Sequence, residues 1–153
     1  MRAVRKMAAS CSVCHAELPL DPKVRKRQRP RRCKRCNARA ALNRRKSDPV
    51  LLLQHRWSNN ARKHWPDAPA SLCSIETVGY VWDRWGRQSV LSGIADHMLL
   101  CVSPAIKSSD PPTRDQLILL TSREAQSLSR TSKEERMAQL PEHVRAQINN
   151  SGT

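Results

Sequence analysis

Two C-x2-C pairs separated by 18 residues, apolar stripes at helical spacing through the middle of the chain, and a change to short apolar runs near residue 90 together predict an α+β fold. Its expected parts are a small zinc-knuckle module with a basic loop, then helices, then a ββα hairpin-helix unit. By residue number the expectation is a basic tail over 1–10, a zinc-binding basic module over 11–46 and an amphipathic helix over 47–66. A helix plus ββα unit over 71–130 and C-terminal helices with a tail over 131–153 complete it.

Cys11 and Cys14 stand in "CSVCHAELP", and Cys33 and Cys36 in "CKRCNAR". Each pair wraps a turn whose two thiolates point to one side, and two such turns complete the tetrahedral set that one structural zinc ion takes. In a reducing compartment the six cysteines stay thiols, so paired spacing reads as metal binding before disulfides. His15 directly follows Cys14, an awkward place for a fifth candidate ligand, and reads as a solvated histidine. Aromatics are 3% of the 153 residues and Phe is absent, so a large core is not expected and a metal staple adds needed stability.

Charge is distributed unevenly. Residues 1–66 carry 19 Lys and Arg against Glu17, Asp21 and Asp48, a net of +16, whereas residues 67–153 carry 9 against 10 acids, a net of −1. A merely solvated face mixes both signs; excess of one sign points to a polyanion, here the backbone of DNA or RNA. The heavy preference for Arg over Lys favours bidentate phosphate contacts. Arg25, Lys26, Arg27, Arg29, Arg31, Arg32, Lys34, Arg35, Arg39, Arg44 and Arg45 are the candidate nucleic-acid-binding residues.

The elements follow in order. "LPLDPKVRKRQRPRR" between the knuckles lacks apolar periodicity and reads as a basic loop. "NARAALNRRK" holds good helix formers and predicts a short basic helix leaving the second knuckle. "SDP" supplies a cap at Asp48 and proline at the first helical position. From there Val50, Leu53, Trp57, Ala61 and Trp65 form one apolar stripe, so Trp57 and Trp65 read as core, while Arg56, Arg62 and Lys63 face elsewhere and extend the basic surface.

After the linker "PDAPAS", a second amphipathic helix places Ile75, Val78, Val81, Trp82 and Trp85 on one face and stops at Gly86; Cys73 reads as a small buried residue. "QSVLSG" and "HMLLCVSP", joined by "GIAD", predict a β-hairpin, and "DQLILL" a further strand. Thr121 with Glu124 and Ser132 with Glu135 have capping-box spacing, which starts short terminal helices that break at Pro141.

With these elements in order, the succession of "CKRCNARAALNRR", a Trp-bearing helix and "SVLSG…MLLCVSP…TRDQLILLTSREA" resembles HNH-type (His-Me finger) endonucleases that carry an N-terminal zinc-knuckle segment, over most of residues 10–130. The resemblance implies a ββα site around one divalent ion. Ser92 and Gly93 match the family's turn, Gln116 falls where its central Asn would be, and Glu124 and Ala125 begin its closing helix. The position of the general base is taken by Leu100, Cys101 or Val102, none of which activates water beside magnesium. His97, next to Asp96, serves as base only if the hairpin register shifts.

The expected function is therefore a zinc-stabilised nucleic-acid-binding protein on an HNH-like scaffold that has lost its chemistry. An active Mg²⁺-dependent endonuclease, and a structural zinc protein of a ribonucleoprotein or virion whose residues 67–153 contact other proteins, are the alternatives. No apolar run spans a bilayer and no secretory h-region is present, so a soluble protein of a reducing intracellular compartment is expected, without a membrane partner. Viral, nuclear and organellar settings all fit. The opening "MRAVRKMAAS" shares the acid-free basic composition of organelle transit segments but is short for one.

Overall fold

The structure, a computed structural model, describes residues 9–18 and 31–151. The chain divides into two compact units, Met1–Ser47 and Asp48–Thr153. It mixes helices with one small two-stranded sheet, an α+β composition. Among the described residues, no helix is long and apolar enough to cross a membrane.

In the first unit the chain turns back on itself at residues 11–15 and closes an isolated antiparallel bridge between Ser10 and Glu17. The backbone N–H of Cys11 donates to Ala16 O at 2.8 Å and that of Leu18 to Ala9 O at 2.8 Å. His15 makes the reversal, with φ of 59° and its N–H on Cys11 O. Helix α1, Lys34–Ser47, follows. It begins inside the second C-x2-C rather than after it, because the Cys33 sulfur and carbonyl oxygen accept the first free amides, from Cys36 at 3.4 Å and Asn37 at 2.9 Å.

Helix α2, Pro49–His64, opens the second unit as expected: the Asp48 carboxylate accepts the amides of Val50 and Leu51, and proline occupies the first turn. Leu53, Trp57 and Ala61 from its stripe are buried, and the Trp57 indole N–H donates to Leu72 O at 2.9 Å. A 3-10 turn, Ala70–Cys73, and helix α3, Ile75–Arg84, come next, the latter capped by the Ser74 hydroxyl. Val78, Val81 and Trp85 are buried as expected, but Ile75 at the helix start is exposed. Gly86 ends the helix with φ of +63°, a conformation that costs glycine little.

Strand β1, Leu100–Pro104, pairs antiparallel with β2, Leu117–Thr121, in the register Leu100 opposite Thr121 through Pro104 opposite Leu117. This corrects the expected hairpin: the partner of "LCVSP" is "LILLT", and "QSVLSG" is a turn. The turn is preferred because the Ser89 hydroxyl accepts the amides of Leu91 and Ser92 and itself donates to the Glu124 carboxylate at 2.6 Å. Val90 still touches the sheet edge through one amide bond to Leu119 O.

Helices α4, Ser122–Ser129, α5, Lys133–Gln139, and α6, Glu142–Asn150, close the chain. Both expected capping boxes form with reciprocal bonds at Thr121 and Glu124 and at Ser132 and Glu135. Leu117 through Leu120 are completely buried, and the core gathers α2, α3, the sheet, Leu128, Leu140, Val144 and Ile148 around them. Burying each such side chain contributes roughly 1.5–3 kcal/mol. Arg56 corrects the expectation of a solvent-facing residue: it is half-buried, and its Nη1 donates to the carbonyls of Met98 and Leu100, holding the entry to β1.

Candidate metal centre and basic groove

The turn at 11–15 and the start of α1 bring the four expected cysteines together. The sulfurs of Cys11, Cys14, Cys33 and Cys36 all lie within 4.8 Å of one another, with Cys14 and Cys33 at 3.6 Å. A zinc ion with Zn–S distances near 2.3 Å separates its thiolates by about 3.8 Å, so the set fits one tetrahedral ion. Four cysteines are thus positioned to bind one metal ion. The two halves are also tied through backbone, since Ser12 N–H donates to Arg31 O at 2.9 Å.

The electrostatics of the cluster suit a cation. Backbone amides of Cys14, Cys33 and Val13 point at the Cys11 sulfur and lower its pKa to about 6. The Cys36 amide does the same for Cys33 in direction. Cys36 bears the opposite effect: the neighbouring thiols of Cys33 and Cys14 push it up to about 12. Four thiolates cannot share this volume without a positive charge between them, and a bound divalent ion supplies it while releasing the remaining protons.

Beside the cluster lies a groove of about 660 Å³ whose wall is one side of α1, where Arg35, Arg39 and Asn43 follow at four-residue intervals beyond Arg32. Val13, 56% exposed, and Cys14 form the facing rim. No side chain of α1 is buried, and the helix contains no acid. Of the residues expected to bind nucleic acid, Arg32, Arg35 and Arg39 converge on this groove, whereas Arg31, Lys34, Arg44 and Arg45 do not line it. Arg25, Lys26, Arg27 and Arg29 lie outside the described residues. Counting charge alone missed Asn43 and Val13; the helical spacing of Arg35, Arg39 and Asn43 was the available signal.

His97 sits in the turn ahead of β1, where Asp96 accepts the amides of Met98 and Leu99. Among the described residues, the four cysteines are the single group of three or more His, Cys, Asp or Glu side chains gathered closely enough to hold an ion. Leu100 and Val102 are buried in the core, and burial raises the pKa of the Cys101 thiol. In comparisons with known proteins, no family model and no curated protein matches this chain.

Proposed function

We propose that the protein binds nucleic acid through a zinc-stabilised basic module, on a scaffold whose C-terminal unit is HNH-like and catalytically inactive. The observation that carries this reading is the juxtaposition of the four-cysteine cluster with α1, an acid-free helix with no buried side chain. An isolated 14-residue helix is marginal in water, so the metal that anchors its first turn holds the array of cations in place. Arg35 and Arg39 engage phosphates or guanine edges, and Asn43 is the side-chain type that pairs with adenine. The order β1, β2, α4 supports the HNH-like element. The residues where that resemblance expects a base, Leu100, Cys101 and Val102, supply two buried aliphatics and a thiol held protonated by burial.

The test is binding to labelled duplex and single-stranded DNA and RNA across a salt series, with and without Mg²⁺ or Mn²⁺, on protein of measured metal content. Expected are one zinc per chain, no cleavage, and a log–log salt slope of about −5 on duplex DNA for roughly six phosphates neutralised. Replacing Arg39 by Ala should reduce that slope by about one. An affinity indifferent to salt sinks the nucleic-acid reading. Mg²⁺-dependent nicking that disappears in His97→Ala sinks the inactive one.

A further inference from the structure

A second concave surface lies wholly inside the Asp48–Thr153 unit, remote in composition from the cysteine cluster. It is a cavity of about 420 Å³ bounded by the end of α2, the end of β1 with the loop that follows, α4 and α5. Three of its lining residues, His64, Lys107 and Arg136, are basic, and none is acidic.

Arg136 is the unusual member. Its side chain is 5% exposed, yet the groups it meets are neutral: Nε donates to Ala105 O at 3.1 Å, and Nη2 donates to the Ser103 hydroxyl at 3.0 Å and to Pro104 O. A guanidinium does not shed its proton, so burial without a carboxylate leaves charge that carbonyl dipoles offset only in part. With Nε and Nη2 so engaged, Nη1 is the nitrogen that Arg136, which lines the cavity, has left to offer a ligand. Lys107, which also lines the cavity, rests its Nζ on another neutral acceptor, Ser129 O, at 3.2 Å. His64 and, one turn earlier on α2, Asn60 also line the cavity, as does Gln126 of α4.

We propose that this cavity is an anion site and that its ligand is a phosphate group. With Nε and Nη2 already engaged, Arg136 offers one end-on bond rather than the flat fork that suits a carboxylate. Lys107 and His64, from the loop after β1 and from α2, are further donors lining the cavity. Three basic side chains on one acid-free cavity suit a multiply charged oxyanion, and the volume of about 420 Å³ admits a phosphate with an attached sugar. The ligand is either free phosphate or a phosphate of a nucleic-acid backbone, two sources with the same chemistry. The proposal does not depend on the metal module.

The experiment is a two-dimensional amide NMR titration of the full chain, with inorganic phosphate in one arm, a short single-stranded DNA oligonucleotide in a second and chloride at matched ionic strength as reference. The reporters are the Trp65 indole N–H, which donates to Ser109 O beside the cavity, and the amides of Lys107 and Ser108. Expected is a saturable shift of these signals by phosphate that chloride does not reproduce. Lys107→Ala, at an exposed position, should raise the half-saturating concentration at least about tenfold. Saturation by the oligonucleotide at lower concentration than inorganic phosphate assigns the site to a nucleic-acid backbone; saturation by inorganic phosphate alone assigns it to a free anion. Shifts that follow ionic strength equally in phosphate and chloride overturn the site, as does a Lys107→Ala protein that titrates like the original. All reporters lie in residues 48–153, so failure here leaves the reading of α1 standing, and failure of α1 leaves these signals interpretable.

Discussion

Helices α1 and α2 are neighbours in sequence and similar in length, 14 and 16 residues, yet they are held by opposite physics. α2 buries Leu52, Leu53, Trp57, Ser58 and Ala61 and would find its place in the second unit from its apolar stripe alone. α1 buries nothing. What fixes it is the attachment of its first turn to a sulfur cluster, which leaves most of its side chains exposed. A helix organised by a metal can present cations on all faces; a helix organised by a core must give one face away.

Metal removal is the sharpest way to break this contrast. Chelation, or Cys33→Ser, should melt α1 and the knuckle, because structural zinc contributes on the order of 10 kcal/mol to modules of this size. The amide signals of residues 9–18 and 31–47 should collapse while those of the second unit stay dispersed, and the nucleic-acid binding proposed for the module should weaken at least about a hundredfold. If α1 stays helical without metal, the comparison is wrong.

The converse experiment attacks the core. Trp57→Ala or Leu119→Ala removes a completely buried side chain and should cost the second unit about 3–5 kcal/mol in denaturant unfolding, without changing metal stoichiometry. Leu119→Ala is the cleaner of the two, since Trp57 also carries a hydrogen bond to Leu72 O.

These elements also differ in how readable they are from sequence. The cysteine pairs, the Asp48 cap, the stripe of α2 and both capping boxes are encoded within four residues of one another along the chain, and the structure contains them. The sheet was misread at the point where contacts become long-range. "LILLT" is buried at every position, so no period of two marks its pairing edge, and the 12-residue loop before it hides its partner. "QSVLSG" has the composition of a strand, but Ser89 satisfies two backbone amides locally and a carboxylate 35 residues away, which no local pattern reveals. Arg56 and Arg136 were legible only as charge; that they turn inward onto carbonyls follows from where β1 ends.

Smaller effects test how the second unit holds its turn against α4. Thr121→Ala removes the hydroxyl that accepts the Glu124 amide at 3.2 Å and should destabilise the unit by about 1 kcal/mol, with the four-cysteine module unaffected.

The weakest of these ties should show itself through pH. Burial tends to raise the Glu124 carboxyl's pKa, but hydrogen bonds from the hydroxyls of Ser89 and Ser92 and the amide of Thr121 outweigh it, and the net shift is downward from 4.5. A carboxylate whose folded pKa is depressed stabilises the fold fully above its unfolded pKa and loses that contribution as pH falls through the folded value. The second unit should therefore lose a part of its stability below about pH 4.5, and Glu124→Gln should flatten that part of the profile while leaving neutral-pH stability lower by under about 1 kcal/mol, since the group is partly exposed to solvent. A Glu124→Gln protein with an unchanged acid profile would mean that Ser89 is held by the amides of its own turn and not by the carboxylate across from it. The loop at 89–94 would then be independent of α4, and the resistance of "QSVLSG" to becoming a strand would be a purely local property.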